Sequence, residues 1–292
     1  MVLSGEKDMK PLLPLITSAI PHIFGNSSTV FLTATAKQIL FDGILVNCSI
    51  KDVAAKTLCT LVKAQGKDFE KVGKTAFKFS FFGTKNGTLQ ERLRLKRGIE
   101  NILDLGRVVA WKEETRMSVW SGPRCNEFYG TDGSVFPPFL EDGVPIQAFA
   151  PDICRSLMVN YKDKTEYKGI KGNIYTADFG DPDNNPELKC FCTTPKTCLK
   201  RGVHDLTRCA GAPLVVSMPH FYLAHEDYVD DVKGLHPQKH LHEITLHLEP
   251  LTATPLVAYK RLQFNIKMKQ VAKVNLMKNL PTVVFPILWV EE

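Results

Sequence analysis

Two hydrophobic periodicities divide this chain. From Met9 to Ile23 the apolar residues Leu12, Leu13, Leu15, Ile16, Ala19 and Ile20 recur at helical spacing, interrupted by Pro11 and Pro14. That pattern predicts a short helix ending near Pro21. Thr33 to Phe41, rich in helix-tolerant residues and closed by Asp42-Gly43, predicts a second, and Lys51 to Ala64 a third. After Gly73 the period becomes two: Phe77, Phe79 and Phe81 alternate with Lys78 and Ser80, which predicts a strand with one aromatic face. Asn86-Gly87 supplies the turn residues of a hairpin leading to a strand over Leu89 to Lys96. The alternation returns late in the chain. Ile244, Leu246 and Leu248 alternate with Thr245, His247 and Glu249, and Leu262, Phe264, Ile266 and Met268 alternate with Arg261, Gln263, Asn265, Lys267 and Lys269. Long alternating strands predict an antiparallel sheet that closes or half-closes into a barrel. Between the two strand regions, Ser121 to Leu214 is rich in Pro, Gly, Asp and Asn and reads as irregular.

Composition adds limits rather than identity. With 292 residues, 44% hydrophobic and 23% charged, the chain is long and apolar enough for a large core. A net charge of +6 without long like-charge blocks does not imply a nucleic-acid partner. The densest basic stretch, Arg92, Arg94, Lys96 and Arg97, alternates with Leu93 and Leu95 and reads as the solvated face of a half-buried strand. No apolar run reaches the length that spans a bilayer. Leu280 to Val290 contains Pro281 and Pro286 and reads as an extended buried segment, and Met1 to Lys10 lacks the layout of a signal peptide.

The cysteines and sequons point to an oxidising compartment. Cys125, Cys154, Cys190, Cys192, Cys198 and Cys209 crowd the irregular region, without the paired CxxC knuckles of a zinc site. Disulfides are therefore expected and a metal is not, but spacing leaves all fifteen pairings of six cysteines open. N-glycosylation acceptors stand at Asn26, Asn86 and, less favourably because Cys48 is its middle residue, Asn47. An oxidising-compartment chain without a targeting signal is expected to be a fragment, its signal or anchor lying in flanking sequence.

Few residues suggest catalysis. His236, His240, His242 and His247 cluster near one strand start, yet no Cys, Asp or Glu completes a ligand set, so a hydrogen-bonded group is expected. His220, within Met218-Pro219-His220-Phe221, reads as a packed residue. Nucleophile-elbow, zincin, P-loop and dinucleotide motifs are absent, and Asp230-Asp231, Glu113-Glu114 and Glu291-Glu292 read as surface charge. No catalytic residue and no cofactor is assigned. The strand faces Phe77, Phe79, Phe81 and Leu262, Phe264, Ile266, Met268 are either plain core or the lining of a cavity for an apolar ligand.

A set of longer motifs is more specific. Arg107-Val108-Val109, Ser118-Val119-Trp120, Cys125-Asn126, Gly130-Thr131-Asp132-Gly133 and Phe136-Pro137-Pro138-Phe139 come first. They continue through Asp152-Ile153-Cys154-Arg155-Ser156, Cys190-Phe191-Cys192, Ser217-Met218-Pro219-His220-Phe221, Gly234-Leu235-His236-Pro237, Leu248-Glu249-Pro250 and Pro286-Ile287-Leu288-Trp289. From Arg107 onward the chain resembles the class B scavenger receptor family. Pro21-His22-Ile23-Phe24 and Phe41-Asp42-Gly43-Ile44 followed by Cys48 are similar to the branch of that family found on insect sensory neurons.

The resemblance implies a mainly β (α+β) ectodomain: an antiparallel β-barrel with a small helical cap at its N-terminal side and a disulfide-stapled loop region. Residues 1–292 would form one ectodomain fragment, with the cap in 1–66, barrel strands in 73–292, the disulfide-rich region at 121–214, and flanking membrane helices outside it. Carried over by motif, the disulfides would be Cys125–Cys190, Cys154–Cys209 and Cys192–Cys198, while Cys48 and Cys59 would pair with each other or stay free. The implied function is that of a receptor on the extracellular side of the plasma membrane. It would capture long-chain fatty-acid-derived odorants or pheromones and pass them through an apolar tunnel toward an odorant receptor channel. A general receptor for lipids or anionic particles, or a lumenal lipid hydrolase, are the alternatives.

Overall fold

The N-terminal apolar stripe folds into helix α1 (Leu13–Phe24), which packs on helix α2 (Val53–Gln65) around Ala19, Ala55 and Leu58. Small residues at the contact let the two backbones approach closely. A computed structural model describes residues 13–25, 29–65, 69–73, 75–89, 92–194 and 197–292 of the chain. These fall into two compact units: 1–90 with 268–282, and 91–267 with 283–292.

In the first unit, β1 (Ile44–Asn47), β2 (Phe69–Val72) and β3 (Ala76–Phe79) form an antiparallel sheet with β3 at its centre. The Cys48–Cys59 disulfide ties the end of β1 to α2, and both cysteines are buried against Phe77. Two expectations need correction. The helix predicted over Thr33 to Phe41 is instead a wide π-helical turn at Gln38–Asp42, because the carbonyls of Ile39 and Leu40 accept hydrogen bonds from Phe81 and Phe82. Those same bonds end β3 at Phe79, so Phe81 lies beyond the strand. The Asn86-Gly87 turn follows a 3-10 turn at Gly83–Lys85 and does not close a hairpin from β3, whose partners are β1 and β2.

The second unit is mostly antiparallel sheet. β4 (Leu93–Leu95) pairs with β5 (Val108–Trp111). β6 (Ile146–Ala150), β7 (Arg155–Tyr167), β8 (Ile170–Ala177), β11 (Ile244–Leu248) and β12 (Pro255–Tyr259) form a five-stranded sheet in the order β12-β11-β8-β7-β6. β9 (Val203–Asp205), β10 (Leu214–Ser217), β13 (Arg261–Met268) and β14 (Val283–Glu291) form a four-stranded sheet in the order β14-β13-β10-β9. These open, curled sheets make the mainly β, half-barrel architecture. β14 is the edge strand, the position that tolerates Pro286 because an edge residue need not donate to a neighbour.

The stretch 121–214, read as irregular, carries four of these strands, including the longest among the described residues. Its alternation is carried by Leu157, Val159 and Tyr161 and then fades into exposed polar residues. The β7–β8 hairpin turns at Lys168 and Gly169, both with positive φ, the geometry of the tight turns that match strand twist. The cysteines around these strands pair as Cys125–Cys190, Cys154–Cys209 and Cys192–Cys198.

Candidate functional site

The apolar face of β13 is built by register. Phe264 lies opposite Val216 and Ile266 opposite Leu214 on β10, so the four share one face of the sheet. That face joins a cluster of Ile153, Phe179, Leu206, Val216, Met218 and Leu262. Burial varies along the strand: Leu262 and Met268 are buried, whereas Phe264 and Ile266 are only half-buried. In the other sheet Phe77 is buried at 3% exposure and belongs to the core. Phe79 and Phe81 are half-buried, with their rings 5.4 Å apart. Six of the seven candidate residues thus divide between two sheets, Phe81 lies just past one of them, and Phe264, Ile266, Phe79 and Phe81 are the ones left partly uncovered.

The opposite face of β13 holds what alternation did not reveal. A polar set facing away from an apolar face is ordinarily solvated, but Gln263 and Asn265 are almost fully buried beside Ser217. They survive there because each is satisfied. Asn265 Nδ2 donates to the Val215 carbonyl and to Ser217 Oγ, both at 3.1 Å, and Gln263 Nε2 donates to Asn265 Oδ1 at 2.8 Å. Gln263 Oε1 accepts the His220 N–H at 2.9 Å. Two positions along, Lys267 donates to Asp205 at 2.6 Å. Burial alone would raise the Asp205 carboxyl, but hydrogen bonds from Lys267 and Thr207 outweigh it and hold the group below its ordinary value. Asn265→Ala is expected to destabilise the chain by about 2 kcal/mol in urea unfolding, because it strands the partners of a satisfied network. A loss below the error of that measurement would show that the network does not contribute to stability.

Next to this network lies an aromatic box around His204. Its ring stacks with Phe179 at 6.3 Å and meets Trp120 and Phe191 at 5.1 and 5.5 Å. His204 Nε2 donates to the Ile153 carbonyl at 3.3 Å, which fixes the neutral tautomer. Burial and then the nearby Arg155 charge push the His204 pKa down to about 3. Arg155 is itself buried, with its guanidinium 4.4 Å from the Phe191 ring centre and Nη1 donating to the Phe179 carbonyl. Burial lowers its pKa to about 10, against an opposing pull from Asp178. Beside the box, lined by Phe179, Phe191 and His204 among others, is a partly open pocket of about 20 Å³, room for one water and not for an acyl chain.

The remaining sequence-predicted residues are scattered. His236 and His240 are exposed and His247 is half-buried on β11, while His242 is buried and stacked on His220. No three His, Cys, Asp or Glu side chains are placed to hold a metal among the described residues. Asn47 and Asn86 are exposed, and Asn26 lies outside the described residues. Arg94 pairs with Glu113 and Lys96 with Asp104, so part of the basic stretch is neutralised on an exposed sheet face. No described helix is long and apolar enough to cross a membrane.

Antiparallel sheets stapled by four disulfides are the construction of a domain that folds in an oxidising compartment. The chain belongs to the CD36 family, whose model matches residues 2–292. It is 46% identical over 279 residues to sensory neuron membrane protein 1 of Apis mellifera, covering 95% of this chain and 54% of that protein. It is 41% identical over 293 residues to the protein of that name from Manduca sexta, covering 100% of this chain and 56% of the relative. For the one from Pediculus humanus subsp. corporis the identity is 39% over 293 residues, covering 100% and 57%. The chain therefore spans about half the length of the curated relatives it matches.

Proposed function

We propose that this chain is the extracellular part of a plasma-membrane receptor of sensory neurons that binds long-chain, fatty-acid-derived odorants and passes them through an apolar tunnel toward an odorant receptor channel. The observation that carries this reading is identity of 39–46%, over 95–100% of this chain, to proteins named sensory neuron membrane protein 1. The half-buried Phe264 and Ile266 of β13 support it, because a partly uncovered apolar strand face is suited to an acyl chain. Binding of this kind needs no catalysis: each methylene removed from water contributes about 0.8 kcal/mol. Asn26 and Asn86 are the proposed glycan positions, Asn86 being exposed, with the exposed Asn47 a less favourable third.

The test is displacement of a fluorescent fatty acid from the glycosylated chain by acetates and aldehydes of increasing length, with short alcohols as controls. Saturable displacement is expected, the Kd tightening by up to about fifteenfold for each added pair of methylenes. No displacement from demonstrably folded protein, or affinity independent of chain length, overturns the reading.

A further inference from the structure

His220 and His242 form an unusual pair. Their rings stack with centroids 4.5 Å apart and planes inclined by 7°. Each uses the same atom in the same way: the His236 N–H donates to His220 Nδ1 at 3.0 Å, and the Gln238 N–H donates to His242 Nδ1 at 2.9 Å. The loop His236-Pro237-Gln238 is thereby held at two of its amides by two imidazoles, and both hydrogen bonds require Nδ1 to be without a proton.

We propose that the stacked His220–His242 pair is an acid-released latch, which holds the His236–Gln238 loop while both rings are neutral and lets it go on protonation. A proton at Nδ1 turns the acceptor into a donor facing a backbone N–H, so the bond is lost rather than weakened. A proton on each ring would also bring two cations face to face.

The surroundings favour release over accommodation of the charge. His242 is 4% exposed. Arg261 of β13 lies near it, with its own charge committed to Glu291 of β14 at 2.5 Å and to the Glu243 carbonyl at 2.9 Å. His240, Lys239 and Glu243 belong to or adjoin the same short helix, Lys239–His242, and Glu243 is engaged by Lys162 of β7 at 2.8 Å. From β14 the neighbour is the Trp289 ring, 6.3 Å away. No carboxylate pairs with either imidazole among the described residues. Burial, then His220, Arg261 and His240, hold His242 below its ordinary value. The sign follows: the latch is closed above the ordinary histidine range near pH 6.5 and opens as pH falls below it.

The two sides of the latch differ in anchorage. His220, Phe221 and Leu223 all have positive φ, costly for residues with a Cβ, and the His220 N–H is held by Gln263 in the buried network. His236 and Gln238, by contrast, are exposed. Release is therefore local to the loop.

Amide exchange of His236 and Gln238, corrected for intrinsic rate, reads the latch directly in the unmodified chain from about pH 7.5 to about pH 5. Protection is expected to fall by about tenfold or more, while β8 and β13 amides keep theirs. The paired variant His220→Asn with His242→Asn places an amide oxygen near each former Nδ1, accepts the same N–H groups and cannot take up a proton. It is expected to hold protection constant over the range. Unchanged protection in the unmodified chain overturns the proposal. So does an equal loss in the Asn variant when its β13 amides remain protected.

Discussion

Replacing Cys154 and Cys209 together by alanine is expected to cost about 4 kcal/mol of stability, because it frees a loop closed over a separation of 55 residues. The loss is a large share of the roughly 5–15 kcal/mol that holds a domain folded. Local packing adds to it: Cys154 is buried beside Trp120, whose Nε1 donates to the Cys154 carbonyl at 2.6 Å. The same replacement at Cys192 and Cys198, separated by 6 residues, is expected to cost only about 2 kcal/mol. Urea unfolding of the two variants against the parent chain checks both values. Equal losses, or the reverse order, would falsify the loop-closure account and assign the effect to native packing instead.

Acid is expected to destabilise this chain through His204. Its pKa is about 3 when folded and near 6.5 when not, so protonation favours the unfolded chain. The stability it contributes is fully present above about pH 6.5 and is lost as pH falls toward 3. The loss amounts to about 3 kcal/mol by about pH 4. His204→Phe keeps a ring among Phe179, Trp120 and Phe191 and removes the titration. It sacrifices the bond to the Ile153 carbonyl and so lowers stability at neutral pH. Its stability should nevertheless fall about 3 kcal/mol less than the parent's between about pH 7 and pH 4. Parallel slopes for the two proteins would mean that His204 is not the group responsible.

These two residues sets were unequally legible. Period-two alternation located β11 and β13 nearly to the residue, and the helical stripe located α1 and α2, because side-chain spacing along one segment is a local property. The cysteines announced disulfides, yet spacing left every pairing open until the resemblance supplied one. In the structure the pairs span separations of 6 to 65 residues. His204 gave no signal, since its environment is made by Trp120, Phe179 and Phe191, residues from distant parts of the chain. The sequence shows the histidine cluster but not that His220, twenty-two residues from His242, completes it by stacking. A stacked pair depends on two segments meeting, which no spacing rule describes.

By itself the sequence determined the mainly β class, the antiparallel strands of its late segments, an oxidising environment and the family motifs. All of these rest on local periodicity, composition or contiguous residues. Only the tertiary structure decided that Gln263 and Asn265 are buried rather than solvated, and that Phe77 is core while Phe264 and Ile266 stay half-covered. It also decided that His204 is held neutral. Alternation states which side chains share a face, but what covers that face is set by neighbours far away in the chain, through burial and the hydrogen bonds they supply.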